Sequence, residues 1–284
     1  MRHRGAVAGL VILGVLALLA IGAPWLSPSD PIKTAPRTAL QAPGSGYLLG
    51  SDQFGRDVAS RVLHGARISL VVGLISVSIA VGIGAPIGLV SGYYGGRLDA
   101  VLMRVIDVLL AFPGILLALA IVSVLTPGLG NVMIAVGLAA VPTYARLVRA
   151  SVLSAREQVY VEAARAIGGR DRTILTRYIL PNVVAPLIVT GTLGLGTAIL
   201  SAAALSFLGL GSQPPTAEWG RMLAEGRDYL REAWWISTFP GLGIMLTVLA
   251  MNLLGVSPNV VTCRCKAATS GRSRCRRRRS APRR

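Results

Sequence analysis

The sequence predicts an all-α, polytopic membrane protein with about six transmembrane helices and one long loop outside the bilayer. Three observations carry this. Of the 284 residues, 53% are hydrophobic and 14% charged, where a soluble domain of this size carries about 25% charged residues. Uncharged runs recur that reach the roughly 20 residues a membrane-crossing helix needs. The 33 glycines sit largely in these apolar runs, which suits close helix–helix approach within lipid.

The first run covers residues 5–29. Arg2 and Arg4 give it the basic start of a secretory signal, but the apolar stretch 5–23 exceeds the roughly 7–15 residues of a cleaved core, so a retained first helix is expected. A second helix is expected over 68–96. Residues 108–145 are too long for one span and are broken by the turn cluster Thr126-Pro127-Gly128-Leu129-Gly130-Asn131. They read as two helices, the first starting near Leu98. That helix carries Arg104 and Asp107 one turn apart, able to pair at the membrane boundary, because a lone charge at the bilayer centre costs about 2.5–3.5 kcal/mol or more. A fifth span is placed near 184–207, after Pro181 stops the preceding helix and before Gly209, Gly211 and Pro214-Pro215. The sixth is placed near 235–255, with Trp234 and Trp235 expected at the membrane interface. Glycines 82, 84 and 88, and 191, 194 and 196, read as helix-packing positions, with lining of the pore as the alternative. By organisation the chain divides into 1–67 (first helix and outer loop), 68–255 (the five-helix core) and 256–284 (a basic tail).

The formal charge of +17 misleads if read whole. Residues 256–284 hold ten Lys/Arg and no acid, which leaves 19 basic and 12 acidic residues in the body, a net of +7. The body's basic residues fall at the ends of apolar runs and form no stripe, so a nucleic-acid partner is not expected. Sorted by side of the membrane, and without the tail, 11 basic residues lie in the N-terminus, the 97–104 loop and the 146–177 loop, against 8 on the other side. The long 27–67 segment holds five of those 8 and weighs less. The bias places that loop and both termini in the cytosol.

The loop at 157–181 reads as a helix–turn–helix elbow. Ala, Glu, Arg and Gln favour a helix in its first half, Gly168-Gly169 supply the turn, and Asp171 is placed to cap a second short helix up to Pro181. Small residues at Ala163, Ala164 and Ala166 would let a partner approach, and Glu162 with nearby arginines could anchor it by charge-assisted bonds.

Glu162-Ala163-Ala164, then Gly168, then Ile179-Leu180-Pro181 resembles the "EAA" loop of binding-protein-dependent ABC importer permeases. The likeness extends over about 5–255. Leu49-Gly50-Ser51-Asp52-Gln53-Phe54-Gly55-Arg56-Asp57 with Ser60-Arg61 and Gly65-Ala66-Arg67-Ile68-Ser69-Leu70, then Gly92-Tyr93-Tyr94-Gly95-Gly96, Asp107 with Ala111-Phe112-Pro113, and Ser206-Phe207-Leu208-Gly209-Leu210-Gly211 with Trp219-Gly220 are similar to the second permease type of dipeptide, oligopeptide and nickel systems. The resemblance implies a subunit of an ATP-driven importer in a bacterial inner membrane. Its partners would be a second permease subunit, cytosolic ATPase subunits and an extracytoplasmic solute-binding protein. The elbow would be a coupling helix, with Glu162, Ala163 and Gly168 as docking residues. Asp52, Gly55, Arg56 and Asp57 form an outer-loop motif that reads as a tied-down loop or a substrate gate.

Other readings fare worse. The 284 residues contain no Walker A loop, whose lysine holds the phosphates; Lys33 and Lys266 are the only lysines and neither follows a Gly-rich loop. ATP hydrolysis is therefore expected on another chain, and no enzyme activity or cofactor here. A self-contained channel or carrier, the alternative, would need intramembrane charges or a repeat. A membrane enzyme would need clustered His, Asp or Glu. His3 and His64 are isolated, and Cys263, Cys265 and Cys275 match no common zinc spacing, so no metal site is expected. The tail departs from the family. It reads either as a polybasic segment touching anionic membrane lipid or as an out-of-frame reading beyond codon 255.

Overall fold

A computed structural model describes residues 4–44 and 46–269, with side chains from Gly5 to Gly255. Among the described residues the chain is helical, with a single isolated β-bridge between Ser51 and Asp57. The expectations for 256–284 concern side chains, and beyond Thr269 a backbone, that lie outside the described residues.

Helix α1 (Arg4–Leu26) packs on α2 (Val58–Tyr94) and α10 (Trp235–Thr269). α2 starts ten residues earlier than expected. The reason is Asp57, whose carboxylate accepts the N–H of Ala59 (3.3 Å) and Ser60 (3.0 Å) and so caps a helix the hydropathy pattern alone does not reach. At about 1.5 Å per residue α2 is some 55 Å long, well beyond a hydrocarbon core of about 30 Å. It therefore links two surfaces of the protein: the 27–57 segment at its start and the 157–181 loop at its end.

Five helical stretches are long and apolar enough to cross a membrane: Gly5–Leu26, Val58–Tyr94, Leu129–Arg156, Asp171–Phe207 and Trp235–Gly255. A sixth candidate for a crossing is a bent helix pair. α3 (Gly96–Leu110) and α4 (Gly114–Leu125) meet at 90°, where a single helix from Leu98 was expected. Pro113 has no N–H to give and disfavours the helical conformation at Phe112. The expected Arg104–Asp107 pair does not form. Asp107 instead accepts from Arg146 of α5 (Leu129–Arg156) at 2.5 Å, and Arg149 forks onto Asp99 with both bonds at 2.6 Å. Arginine preceding an acid on one helix is the weaker orientation, and the arginines of the crossing helix reach both carboxylates of α3.

α2 and α5 pack along their length at small residues. A Cβ on Gly84 would meet the Val141 carbonyl oxygen at 2.7 Å, one on Gly88 would run into the Ala145 carbonyl oxygen, and one on Gly137 would lie 2.9 Å from the Ser76 carbonyl oxygen. Gly82 faces open space and Gly191 meets only Val77, at 4.0 Å, so the expectation holds for some of the named glycines and not for these. Gly88→Val is expected to destabilise the bundle by about 1–3 kcal/mol, read as a fall in the apparent unfolding temperature in detergent. An unchanged temperature would contradict the close approach.

After α6 (Val159–Ala166) and α7 (Asp171–Thr173), a π-helical turn (Ile174–Ile179) leads directly into α8 (Leu180–Phe207). Pro181 does not stop the helix as expected. The widened turn, with the Leu180 N–H donating to Leu175 O, makes room for the proline ring and its missing donor. α9 (Trp219–Gly226) returns to the start of α2, where Trp219 is buried and donates from Nε1 to Val62 O at 3.0 Å. Glu218 caps α9 through the N–H groups of Gly220 and Arg221; burial pushes its carboxyl above the ordinary glutamate range, and those bonds offset part of the rise. Trp235, expected at the lipid interface, is buried and donates to Ser51 O at 3.0 Å. Of this pair only Trp234 is exposed.

Candidate functional site

The 157–181 loop has two faces of opposite character. α6 follows a short break at Glu157 and Gln158, and its last turn closes on Gly168. The Gly168 N–H donates to Arg165 O and the Gly169 N–H to Ala164 O, both at 2.9 Å. This double closure needs a left-handed residue, and Gly168 has φ +78°. Val161 and Ala164 point inward and are buried. Val159 (79% exposed), Glu162, Ala163 and Ile167 (83% exposed) point outward. Glu162 makes no ion pair among the described residues. Val159 and Ile167 thus expose apolar side chains on either side of Glu162 and Ala163.

The inward face is welded to the bundle. Val161, Ala164, Ile174 and Ile179 share one buried cluster with Tyr93 of α2, Val148 and Val152 of α5 and Val183 of α8. Polar bonds repeat these connections. Tyr93 donates to the Asp171 carboxylate at 2.5 Å, Arg165 lies over the Tyr93 ring at 5.5 Å, and Arg156 donates to Gly92 O and Tyr93 O at 3.3 and 3.2 Å. Asp171 therefore does not cap its helix, as the sequence led us to expect; it holds the end of α2. Of the predicted residues, Glu162, Ala163, Ala164 and Gly168 lie together on α6 and its turn. Ile179 is core, while Leu180 and Pro181 begin α8, whose Asn182 donates to the Tyr160 hydroxyl of α6 at 3.0 Å.

The other predicted cluster lies at the opposite end of α2. Asp52 accepts from the backbone N–H of Phe54 and Arg56, both at 2.9 Å, and from Arg56 Nε at 2.5 Å. Arg56 Nη2 and Arg61 Nη2 converge on Glu225 Oε2 at 2.8 and 3.2 Å, and Arg61 Nε lies 3.5 Å from Asp52 Oδ2. All four side chains are 9% exposed or less. Gly55 has φ +72°, and a Cβ there would strike the Ala35 carbonyl. The sequence pointed to pairing among Asp52, Arg56 and Asp57. Asp57 instead caps α2, and Arg61 and Glu225 complete a buried four-charge network that ties the outer segment to α9.

Residues 84–257 match the family model of the binding-protein-dependent transport system inner membrane component. The chain belongs to that family. Residues 1–43 of this permease match the N-terminal transmembrane domain of oligopeptide transport permease C. It is 47% identical to the dipeptide transport system permease protein DppC of Alkalihalophilus pseudofirmus, covering 89% of this chain and 84% of the relative. Identity is 46% to the di/tripeptide permease DppC of Pseudomonas aeruginosa (89% and 86% covered) and 46% to the glutathione transport system permease GsiD of Pectobacterium atrosepticum (89% and 84%). The fold resembles that of a chain from the MetNI methionine ABC transporter in inward-facing conformation, with a TM-score of 0.58 at 19% identity over 71% of this chain and 95% of that one. The permease is thus a membrane component of an ABC transport system.

Sequence reasoning missed Glu225, Tyr93 and Asp171 as partners in these two clusters. Glu225 lies 164 residues from Arg61, and no local pattern announces it. Asp171 and Tyr93 were both in view, one as a helix cap and one inside a motif, but their pairing depends on α2 ending beside the loop.

Proposed function

We propose that this chain is the second-type permease subunit of an ATP-driven peptide importer and that the outward face of α6 docks on a separate cytosolic ATPase. Both termini and α6 lie in the cytosol; the 27–57 segment and α9 face the solute-binding protein, with a second permease subunit completing the pathway and lipid around it. The observation that carries this reading is the two-faced loop. Glu162 and Ala163 are free for a partner, while Val161 and Ala164 on the same short helix are locked to α2, α5 and α8. A push on α6 must therefore move three membrane helices together. Gly168 fixes the turn, and Ile179, Leu180 and Pro181 carry the displacement into α8. Peptide cargo is carried over from the relatives' names. ATP hydrolysis is assigned to the partner, so this chain is not itself an enzyme.

The test is uptake of radiolabelled dialanine by proteoliposomes holding the full complex, with and without ATP. Uptake that requires ATP and the ATPase subunits is expected. Uptake by this chain alone, without ATP, would instead identify a self-contained carrier.

A further inference from the structure

Halfway along α2, between the two ends described above, lies a cavity of 340 Å³ walled by α2, α4, α5 and α8. A water molecule occupies about 30 Å³ of liquid, so the space holds a molecule of several heavy atoms, and it falls within the roughly 300–1,000 Å³ of ordinary ligand pockets. No Asp, Glu, Lys, Arg, His, Cys or Met lines it. Six hydroxyls do: Ser76, Thr143, Tyr144, Thr190, Thr197 and Ser201. Three of them donate to carbonyls of the bundle: Ser76 to Met133 O at 3.1 Å, Tyr144 to Thr190 O at 3.4 Å and Thr197 to Gly194 O at 2.9 Å. Their oxygens remain acceptors. The hydroxyls of Thr143, Thr190 and Ser201 make no side-chain hydrogen bond among the described residues, and Thr143 is exposed. Apolar side chains such as Ile115 and Leu193 fill the spaces between the hydroxyls.

We infer that this cavity is the permease's own cargo subsite and that it takes the uncharged middle of a short peptide, its amide groups and neutral side chains, rather than a metal ion or an anionic solute. The inference rests on the peptide-importer reading above and adds where on this chain the cargo touches. Free hydroxyls both donate and accept, which matches a peptide N–H beside a peptide C=O at any register. A divalent transition metal takes imidazole, thiolate or carboxylate ligands, and the wall offers none. An anionic solute would enter without a cation to meet it: Arg146, three residues beyond Thr143, is already held by Asp107 at 2.5 Å. Neutral, replaceable hydrogen bonds also suit a pathway, which must bind enough to admit its cargo and weakly enough to release it.

The experiment uses the full complex in proteoliposomes and three variants at Thr143, whose exposure makes them tolerable to the fold. Thr143→Asp places one negative charge in the subsite, and the ratio of Lys-Ala to Ala-Ala uptake is expected to rise about tenfold. Thr143→Lys is expected to lower that ratio and to raise Glu-Ala against Ala-Ala by a similar factor. Thr143→Trp fills the space and is expected to cut dialanine uptake at least tenfold with copurification of the ATPase retained. Unchanged preference ratios in both charged variants, in a complex whose wild type imports dialanine, would overturn the subsite and leave the importer reading standing. Wild-type uptake of nickel-63 without dialanine would overturn both, and uptake of the anionic tripeptide glutathione without dialanine would overturn the subsite alone.

Discussion

Glu162→Arg is expected to abolish ATP-driven uptake while the chain inserts and folds as before. Glu162 is exposed and unpaired within the described residues, so its reversal removes no internal contact. Its cost arises at the interface. A charge pair desolvated on docking is worth about 2–5 kcal/mol when one partner is lost, and reversal adds repulsion, so docking should weaken by about a hundredfold or more. The ATPase should no longer copurify, and uptake should fall in proportion. Gly168→Val acts differently: it forces a β-branched residue into a left-handed turn at about 1–2 kcal/mol and swings α6 against its own inner face, so uptake should fall with a partial loss of ATPase binding. Normal uptake in the Glu162 variant, at normal membrane levels, would count against the docking face.

Glu225→Ala carries the largest expected effect on stability. It leaves Arg56 and Arg61, 3% and 1% exposed, sharing the single carboxylate of Asp52. Breaking one partner out of a buried charge set costs about 3–5 kcal/mol, and the apparent unfolding temperature should drop by roughly 10 °C. Arg221→Ala is the control. Arg221 touches the same carboxylate at 3.2 Å but is 21% exposed, and pairs of that kind contribute about 1 kcal/mol or less. Replacing Asp52, Arg56, Arg61 and Glu225 together with apolar residues should recover much of the loss, because no charge is then left buried and alone. Equal effects of the Glu225 and Arg221 variants would show that the network is not buried in the working protein.

The sequence made some elements legible and hid others for identifiable reasons. Long apolar runs gave away the crossings, since lipid admits few alternatives. The elbow was legible because Gly168 sits where a helix must close in a left-handed turn; its two-faced character was not, since Ala164, expected beside Ala163 to receive a partner, is buried against the bundle. Proline was the poorest guide. Pro113 produced a right-angle break where a continuous helix was expected, and Pro181 produced none, because a π turn before it took up the mismatch. Charge partners were legible only when local. Asp52 with Arg56 is an i,i+4 pair, whereas Asp107 with Arg146, Asp99 with Arg149 and Arg61 with Glu225 depend on which helices cross. Tryptophan misled in the same way. Trp235 has the composition of an interfacial residue, yet it packs inside and bonds Ser51, 184 residues away in sequence.

On the proposed reading the outward face of α6, and not its inward face, meets the ATPase on the cytosolic side. A photoreactive phenylalanine analogue placed singly at Ala163 or Ala164, in cells expressing the complete transporter, tests it most directly. At Ala163 a covalent adduct with the ATPase subunit is expected on illumination, and at Ala164, which is buried against Ile174 and the end of α2, an intramolecular product or none. An adduct at Ala163 with the solute-binding protein, or with lipid alone, would contradict both the docking face and the orientation of the loop.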